Sequence, residues 1–211
     1  MKELKYILMA MVAGWIIWGC DDNYYHDSGL ANGKHDCSMW EYLHTDGRDW
    51  DSTVVMIERA GLRSLFDGGD SENREITFFG PTNYSIMQFL YKTLDDVGEV
   101  MYERIADIPV EMCRQMILSH VIRGKKMSTD FDFEVKGTLT GGSVETTLTG
   151  RQLRVYRVRG EYNGIPDIGP EGLMIHALEG GHIAGVASSN IETTNGVVHS
   201  LSYTYQLTEL Y

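Results

Sequence analysis

The stretch ITFFGPTN, residues 76–83, combines the pattern of a buried strand with a turn and the start of a helix. Its first four residues are a continuous apolar and β-branched run, which is typical of a short strand buried on both faces. Pro81 then fixes φ as the chain leaves the strand, and Thr82 or Asn83 can cap the free N–H groups of a following helix. The stretch therefore predicts a strand, a turn and a helix over about residues 85–93.

The sequence around this stretch up to about residue 121 has helical periodicity. A short helix is expected over 38–43, and Asp49 or Asp51 can cap a second helix before Gly68-Gly69 ends it. Residues 95–105 are a further helical candidate. Pro109 suits the first turn of another helix, because its missing N–H would have been unpaired there in any case. The first half of the folded region is thus predicted to be mainly helical.

From about residue 128 the apolar period changes from that of a helix to two residues, which indicates strands. Phe131 and Phe133 alternate with charged residues, and apolar runs on both sides of Thr149-Gly150 predict a hairpin. Helices followed by strands indicate an α+β fold with an antiparallel sheet. The further strand candidates are 173–178, 183–187, 197–201 and 203–207.

Three segments together resemble the fasciclin family. ITFFGPTN is similar to the strand-turn-helix motif of that family, 118–124 to its central histidine motif, and 189–201 to its closing motif. The resemblance implies an α+β, fasciclin-like antiparallel β-sandwich or wedge over 38–211, with several helices packed from the N-terminal half. It also implies a non-enzymatic module for adhesion. The residues that carry the resemblance are Phe79, Pro81, Thr82, Asn83, His120, Asn195, Gly196 and His199.

The polar residues of these motifs have a structural interpretation. His120 and His199 are each flanked by apolar residues, so we expect hydrogen-bonded core histidines rather than catalysts or ligands. Asn195-Gly196 is expected to supply the positive φ values of a tight turn. Four positions depart from the family pattern: Gly80 stands where Ala is common, Ser119 where Tyr is usual, and Asn190 and Ser202 where Asp is usual.

The N-terminus has the pattern of a lipoprotein signal peptide, residues 1–19. Two lysines precede 13 uncharged residues, 6–18, which are too few to span about 30 Å of hydrocarbon as a helix. Gly19-Cys20 resembles the processing site of bacterial lipoproteins, which implies lipidation of Cys20 and a membrane attachment. Residues 20–37 are expected to form a flexible tether.

Asp21-Asp22 follows Cys20 directly and resembles the surface-export signal of Bacteroidetes lipoproteins. The expected location is therefore the cell envelope, on the exposed side of the outer membrane. In other bacteria an Asp at this position instead retains a lipoprotein at the inner membrane.

Composition excludes several classes of function. A formal net charge of −12 argues against a nucleic-acid partner, since binding would have to overcome repulsion of the phosphates. The sequence has no glycine-rich phosphate loop and no G-x-S-x-G elbow, so we expect neither an enzyme nor a cofactor. Cys37 and Cys113 either pair or remain a free residue and a buried small hydrophobe.

Two functional hypotheses remain. The first is a surface lipoprotein that binds an extracellular protein or matrix in adhesion. The alternative is an accessory glycan-binding lipoprotein in a polysaccharide-uptake system, which would need exposed aromatic rings. The stretch 159–173 reads as an insertion or an elongated loop. The aromatic candidates are Trp40, Tyr42, Tyr156 and Tyr162, together with Trp50 and Tyr203.

Overall fold

The computed structural model of the chain describes residues 33–45 and 47–211. The predicted signal peptide, Cys20 and most of the predicted tether lie outside the described residues. Residues from Gly33 to Tyr211 form one compact unit. Within the described part, no helix is both long enough and apolar enough to cross a membrane.

The helices come first along the chain, as the sequence predicts. The short helix expected at 38–43 is present, and the helix expected at 85–93 begins at Asn83, directly after the Pro81 turn. Two 3₁₀ turns are Ile105–Asp107 and Ser128–Asp130. The helices are α1 (Met39–Thr45), α2 (Gly47–Arg59), α3 (Arg63–Phe66), α4 (Asn83–Lys92) and α5 (Val110–Leu118).

Seven of the nine strands in the described residues form one sheet, in the order β2-β1-β9-β8-β7-β6-β5, and β3 pairs with β4 separately. The hairpin predicted at Thr149-Gly150 joins β5 to β6, with Gly150 at a φ of +86°. The strands are β1 (Ile76–Gly80), β2 (Val121–Arg123), β3 (Glu134–Val135), β4 (Thr140–Gly141), β5 (Ser143–Thr146), β6 (Gln152–Arg159), β7 (Glu171–Ala177), β8 (Ile183–Thr193) and β9 (Gly196–Leu201).

The sheet is mixed, so the prediction of an antiparallel sandwich is wrong in one respect. β1 pairs with β2 in the antiparallel sense but with β9 in parallel, in the register of Ile76 with Gly196 through Gly80 with Ser200. The two edge strands also meet: Ile122 bridges Thr147, and the Leu148 N–H donates to the Val121 carbonyl at 2.9 Å. This contact closes the sheet into a barrel-like wedge and removes free edges.

The wedge has two apolar clusters. In the first, the helices pack on the sheet around residues such as Trp50, Phe66 and Phe78. In the second, the sheet encloses its own interior around Phe79 and Phe131. Adjacent residues of β1 thus point into different cores. All five residues of β1 are buried, which explains its uninterrupted apolar sequence.

Four local predictions differ from the structure. The helix that Asp49 or Asp51 was expected to cap begins at Gly47, and it ends at Arg59 rather than at Gly68-Gly69. Residues 95–105 are not a helix, because the Asp95 carboxylate accepts the Val97 and Glu99 N–H groups and Gly98 takes a φ of +86°. In the region 131–135 only Glu134–Val135 belongs to a strand, and Phe133 makes an isolated parallel bridge with Arg157. Residues 203–207 form turns rather than a strand, with the Tyr205 N–H donating to the Ser202 carbonyl.

The long connection between β6 and β7 is residues 160–170; it is shorter than the predicted 159–173 because Arg159 pairs with Glu171 in the strands. The Gly160 N–H donates to the Pro170 carbonyl at 3.0 Å, and Tyr162 and Ile165 bridge at the tip.

Cys37 and Cys113 are both free thiols, and Cys113 is buried. Burial raises the pKa of the Cys113 thiol.

Candidate functional site

The family-motif residues lie along the parallel β1–β9 pair, which we name the motif seam: residues 76–83, His120 and residues 195–199. At one end of the seam, the Thr53 hydroxyl of α2 donates to the Pro81 carbonyl at 2.6 Å, and the Asn83 Oδ1 accepts the Ser52 N–H at 2.6 Å. Thr82 occupies the N-cap position of α4 without a capping hydrogen bond from its side chain. The Asn83 side chain therefore links the turn to α2.

Asn195 joins three separate segments. Its Oδ1 accepts the Met39 N–H at 2.7 Å, its Nδ2 donates to the Phe66 carbonyl at 2.9 Å, and its own carbonyl accepts the Ile76 N–H at 3.2 Å. These bonds satisfy backbone groups of α1, α3 and β1 that would otherwise be buried without a partner. The buried amide thus holds the helices at the start of the sheet.

Gly196 is needed for space rather than for a special backbone conformation. Neither Asn195 nor Gly196 has a positive φ, so the prediction of a left-handed turn at these residues is wrong. A Cβ atom at position 196 would lie 2.0 Å from the Ile76 carbonyl oxygen and 2.8 Å from the Met39 Cε. The close approach of β9 to β1 leaves no room for a side chain.

His120 is fully buried and makes hydrogen bonds through both ring nitrogens. Nδ1 lies 2.6 Å from the Met116 carbonyl, which can only accept, so Nδ1 carries the proton. Nε2 then accepts from the Tyr205 hydroxyl at 2.5 Å. The same hydroxyl accepts the Leu210 N–H at 3.3 Å. His120 therefore attaches the C-terminal segment to the end of α5.

His199 has the opposite tautomer. Nε2 donates to the Lys126 carbonyl at 3.0 Å, and Nδ1 accepts the Asn190 N–H at 3.3 Å. Asn190 adopts a φ of +64° in an irregular part of β8, and its Oδ1 accepts the Ser128 N–H at 2.6 Å. The His199 ring stacks on Phe79 with ring centroids 5.6 Å apart.

Burial lowers the pKa of both His120 and His199 to about 4. Each imidazole is therefore neutral at pH 7, with one nitrogen donating and the other accepting inside the protein. Such a group has no free nitrogen with which to take a substrate proton or bind a metal. The motif seam is thus a structural assembly that holds the fold.

The four aromatic candidates do not form a common surface. Trp40 and Tyr156 are buried, with 5% of each side chain exposed. Tyr42 is half-buried against the ring of His35, and Tyr162 is exposed at the tip of the β6–β7 loop. Of the two further rings, Trp50 is in the core, whereas Tyr203 is exposed.

Sequence reasoning missed a groove along the outer side of α4, which we name the α4 groove. It consists of two depressions of about 510 and 440 Å³ that share Met87 and Leu90. Tyr84 and Tyr203 lie at one end, with ring centroids 6.3 Å apart and ring planes at 86°. Tyr91, Val100 and Tyr102 line the other end, in company with Glu99 and Glu103.

The sequence contains a signal for this groove. Tyr84, Met87 and Tyr91 follow one another at helical spacing and all lie on the outer face of α4, where a surface helix normally has polar residues. A helix sequence that is apolar on both faces is therefore the sequence signal for this groove.

Among the described residues, no group of three or more potential metal ligands occurs.

Comparison with known proteins identifies one family. The family model described as the fasciclin domain matches residues 48–204. Among curated proteins, no sequence matches the chain. One similar solved structure is a FAS1 domain pair from the insect cell adhesion molecule fasciclin I, at 16% identity and a TM-score of 0.42. That match covers 77% of this chain and 42% of the solved chain, so this chain spans less than half of that structure.

Proposed function

Because the chain belongs to the fasciclin domain family, we propose that it is a membrane-anchored surface lipoprotein that acts in adhesion by binding a protein or matrix partner. The fasciclin domain is typically found in adhesion or binding proteins. The observation that carries the proposal is the extent of the family match, which covers residues 48–204.

The chemistry of the motif seam supports a binding role. His120 and His199 are neutral and doubly hydrogen-bonded, and Asn195 uses its amide to join helices to the sheet. The residues that look most reactive in the sequence are thus occupied in holding the fold. A rigid wedge of this kind works through the shape and charge of its outer surface.

The anchor and the location are proposals that rest on the sequence. Cys20 follows an apolar run of signal-peptide length, and Asp21-Asp22 resembles a surface-export signal. A single acyl chain binds a membrane only weakly, whereas two or more bind firmly. We propose that acyl chains on Cys20 hold the domain at the outer face of the outer membrane, through the residues between Cys20 and the compact unit that begins at Gly33.

Fractionation and protease accessibility test this part. Cys20→Ala is expected to remove the lipid and to leave the precursor unprocessed. Less of the chain is then expected in the outer-membrane fraction than for the wild type. Cys37→Ala is the matched control, because it also removes one thiol near the tether. An unchanged membrane fraction and normal processing in Cys20→Ala would rule out the anchor, and protection from external protease would rule out surface exposure.

Adhesion is tested with cells that display the chain and with cells that lack the gene, on surfaces coated with extracellular proteins. The expected result is stronger attachment of the displaying cells to a protein surface. Equal attachment of the two cell types to every surface would contradict the proposal.

Glycan capture for polysaccharide uptake is the alternative proposal. The exposed Tyr162 supports it, whereas the buried Trp40 and Tyr156 do not offer their rings to a sugar. A glycan array probed with the chain separates the two functions. Binding to polysaccharides that is lost in Tyr162→Ala would favour glycan capture. If the chain binds no glycan on the array, the glycan-capture proposal is wrong.

A further inference from the structure

Helix α4 is apolar on two sides, although only one side faces the core. Ile86 and Phe89 are buried beneath it, with 0% and 8% exposure. On the outer side, Tyr84, Met87 and Tyr91 are 46%, 44% and 68% exposed. An amphipathic surface helix gains nothing in stability from large apolar side chains that water surrounds, so this outer face calls for a binding explanation.

The exposed apolar surface continues beyond the helix. The segment that follows α4 turns back through the Leu94–Val100 bridge and places Val100 beside Met87 and Tyr91 in one depression. Met101 and Leu94 are also about half exposed on this segment, at 46% and 50%. Single exposed apolar residues are ordinary, but a contiguous concave group marks an interaction surface.

Carboxylates stand at both ends of this apolar surface. Asp49 lies at the Tyr203 end, where its Oδ1 accepts the Tyr203 hydroxyl at 3.1 Å. Glu99 and Glu103 line the Tyr91 end. Among the described side chains that line the two depressions, none is a lysine or an arginine. The groove therefore has an apolar middle with negative charge at each end.

We propose that the α4 groove binds a peptide segment of a partner protein that has an apolar centre and lysine or arginine residues on both sides. Met87 and Leu90, which the two depressions share, contact the apolar centre. Asp49 at one end, and Glu99 with Glu103 at the other, pair with the flanking cations. The proposal deepens the adhesion function and rests on it, because it names the surface and the kind of partner.

Two features favour a peptide over a polysaccharide. The middle of the groove is aliphatic and contains methionine, which adapts well to apolar side chains of varied shape. The rings of Tyr84 and Tyr203 stand at 86°, so they do not provide one flat platform on which successive sugar rings could stack. A second copy of this chain is disfavoured as the occupant by its charge of −12.

The binding test uses the full chain in mild detergent and two labelled synthetic peptides. Both have the same six-residue centre of leucine, methionine and phenylalanine, flanked on each side by two lysines in one and by two glutamates in the other. Fluorescence anisotropy at 0.15 M salt is expected to show binding of the lysine-flanked peptide at least about 10-fold tighter, equivalent to about 1.4 kcal/mol.

Neutral substitutions separate groove binding from general attraction to an acidic protein. Met87→Ser with Tyr91→Ser changes no charge and is expected to weaken the lysine-flanked peptide about 10-fold or more. Ile165→Ser with Ile168→Ser, at two residues 55% exposed on the β6–β7 loop, is the matched control and is expected to have no effect. Equal weakening by both pairs, or by neither, would overturn the proposal.

A charge swap tests the ends of the groove. Glu99→Lys with Glu103→Lys is expected to lower affinity for the lysine-flanked peptide and to raise it for a peptide with glutamates on one side only. If affinity for both peptides stays unchanged, the assigned charge pairing is wrong. A third outcome is that the chain binds neutral β-linked oligosaccharides but neither peptide, and that Met87→Ser with Tyr91→Ser abolishes this binding. The groove would then bind glycans, and the peptide proposal would be wrong.

The groove and the adhesion function can fail separately. If cells that display Met87→Ser with Tyr91→Ser attach to protein-coated surfaces as well as wild-type cells do, the groove assignment fails and the adhesion function remains. If cells without the gene attach equally well, the adhesion function itself fails, whatever the peptides show.

Discussion

The motif seam and the α4 groove begin within a few residues of each other but use their side chains in opposite ways. In the seam, three polar side chains are buried and fully bonded: His120, Asn195 and His199 each use both of their polar side-chain atoms inside the protein. In the groove, large apolar residues remain in water. The comparison indicates that the recognisable motif specifies the scaffold, whereas the apolar residues of the proposed binding surface, Tyr84, Met87 and Tyr91, lie outside the motif.

The largest expected effect concerns pH and the seam. His120 and His199 have pKa values lowered by burial from 6.5 to about 4 in the folded protein. The unfolded chain therefore takes up protons first as pH falls, and stability that is complete above about pH 6.5 decreases towards pH 4. Each histidine is expected to lower the free energy of unfolding by about 2 kcal/mol between pH 7.5 and pH 5. Urea unfolding across this range measures the loss.

The matched variants for this prediction are His120→Asn and His199→Asn, which keep a polar atom near the position of Nδ1 but do not titrate. Each should roughly halve the decrease of stability between pH 7.5 and pH 5, even where it lowers stability at pH 7.5. The paired carboxylates Asp107, Glu171 and Glu192, whose pKa values are lowered by hydrogen bonds to basic side chains, act at lower pH. If the free energy of unfolding does not change between pH 7.5 and pH 5, burial does not lower the pKa values of the two histidines.

Gly196→Ala is expected to have an effect as large as that of the two histidines together. A methyl group there would lie 2.0 Å from the Ile76 carbonyl oxygen, which is backbone and cannot move without separating β1 from β9. We expect a loss of about 4 kcal/mol in the free energy of unfolding, at the upper end for single substitutions. Gly61→Ala, where a Cβ would have nothing within 4 Å, is a control for the change of residue alone, although its φ of +67° adds some strain.

Gly80→Ala sharpens the comparison within the seam, because it restores the residue common in the family at this position. Here a Cβ would lie 2.6 Å from the Trp50 ring, which is 2% exposed. We expect overpacking to lower stability by about 2 kcal/mol, measured by urea unfolding. Trp50→Leu removes the ring that the new methyl group would contact. In that background, Gly80→Ala is expected to lower the free energy of unfolding much less. An equal cost in both backgrounds would show that the ring does not account for the glycine.

The fold was accessible from sequence where the physical signal is local. The buried run of β1, the turn at Pro81 and the hairpin at Gly150 depend on neighbouring residues, and all three were predicted correctly. The parallel β1–β9 pair joins residues about 120 positions apart, and no local pattern encodes it. The helix predicted at 95–105 failed because the Asp95 side chain captures two N–H groups that a helix would have used.

The site was less accessible than the fold for a related reason. Trp40 and Tyr156 were candidates because aromatic rings bind ligands, but sequence does not show which ring is buried. Tyr84, Met87 and Tyr91 were overlooked since an apolar stripe on a helix usually faces the core, and only the structure shows that Ile86 and Phe89 already fill that place. Exposure is a property of the whole fold rather than of the local sequence.

The smallest expected effect on stability completes the comparison. Met87→Ser with Tyr91→Ser should change the free energy of unfolding by no more than about 0.5 kcal/mol each, because both residues lie on the surface, with Met87 44% and Tyr91 68% exposed. Phe89→Ser, two residues from Met87 but on the buried side of α4, should lower it by about 3 kcal/mol or more. Urea unfolding of the variants side by side measures both. If Met87→Ser with Tyr91→Ser lowers the free energy of unfolding as much as Phe89→Ser does, the outer side of α4 belongs to the core. The apolar residues of the groove would then be explained by stability, without a partner.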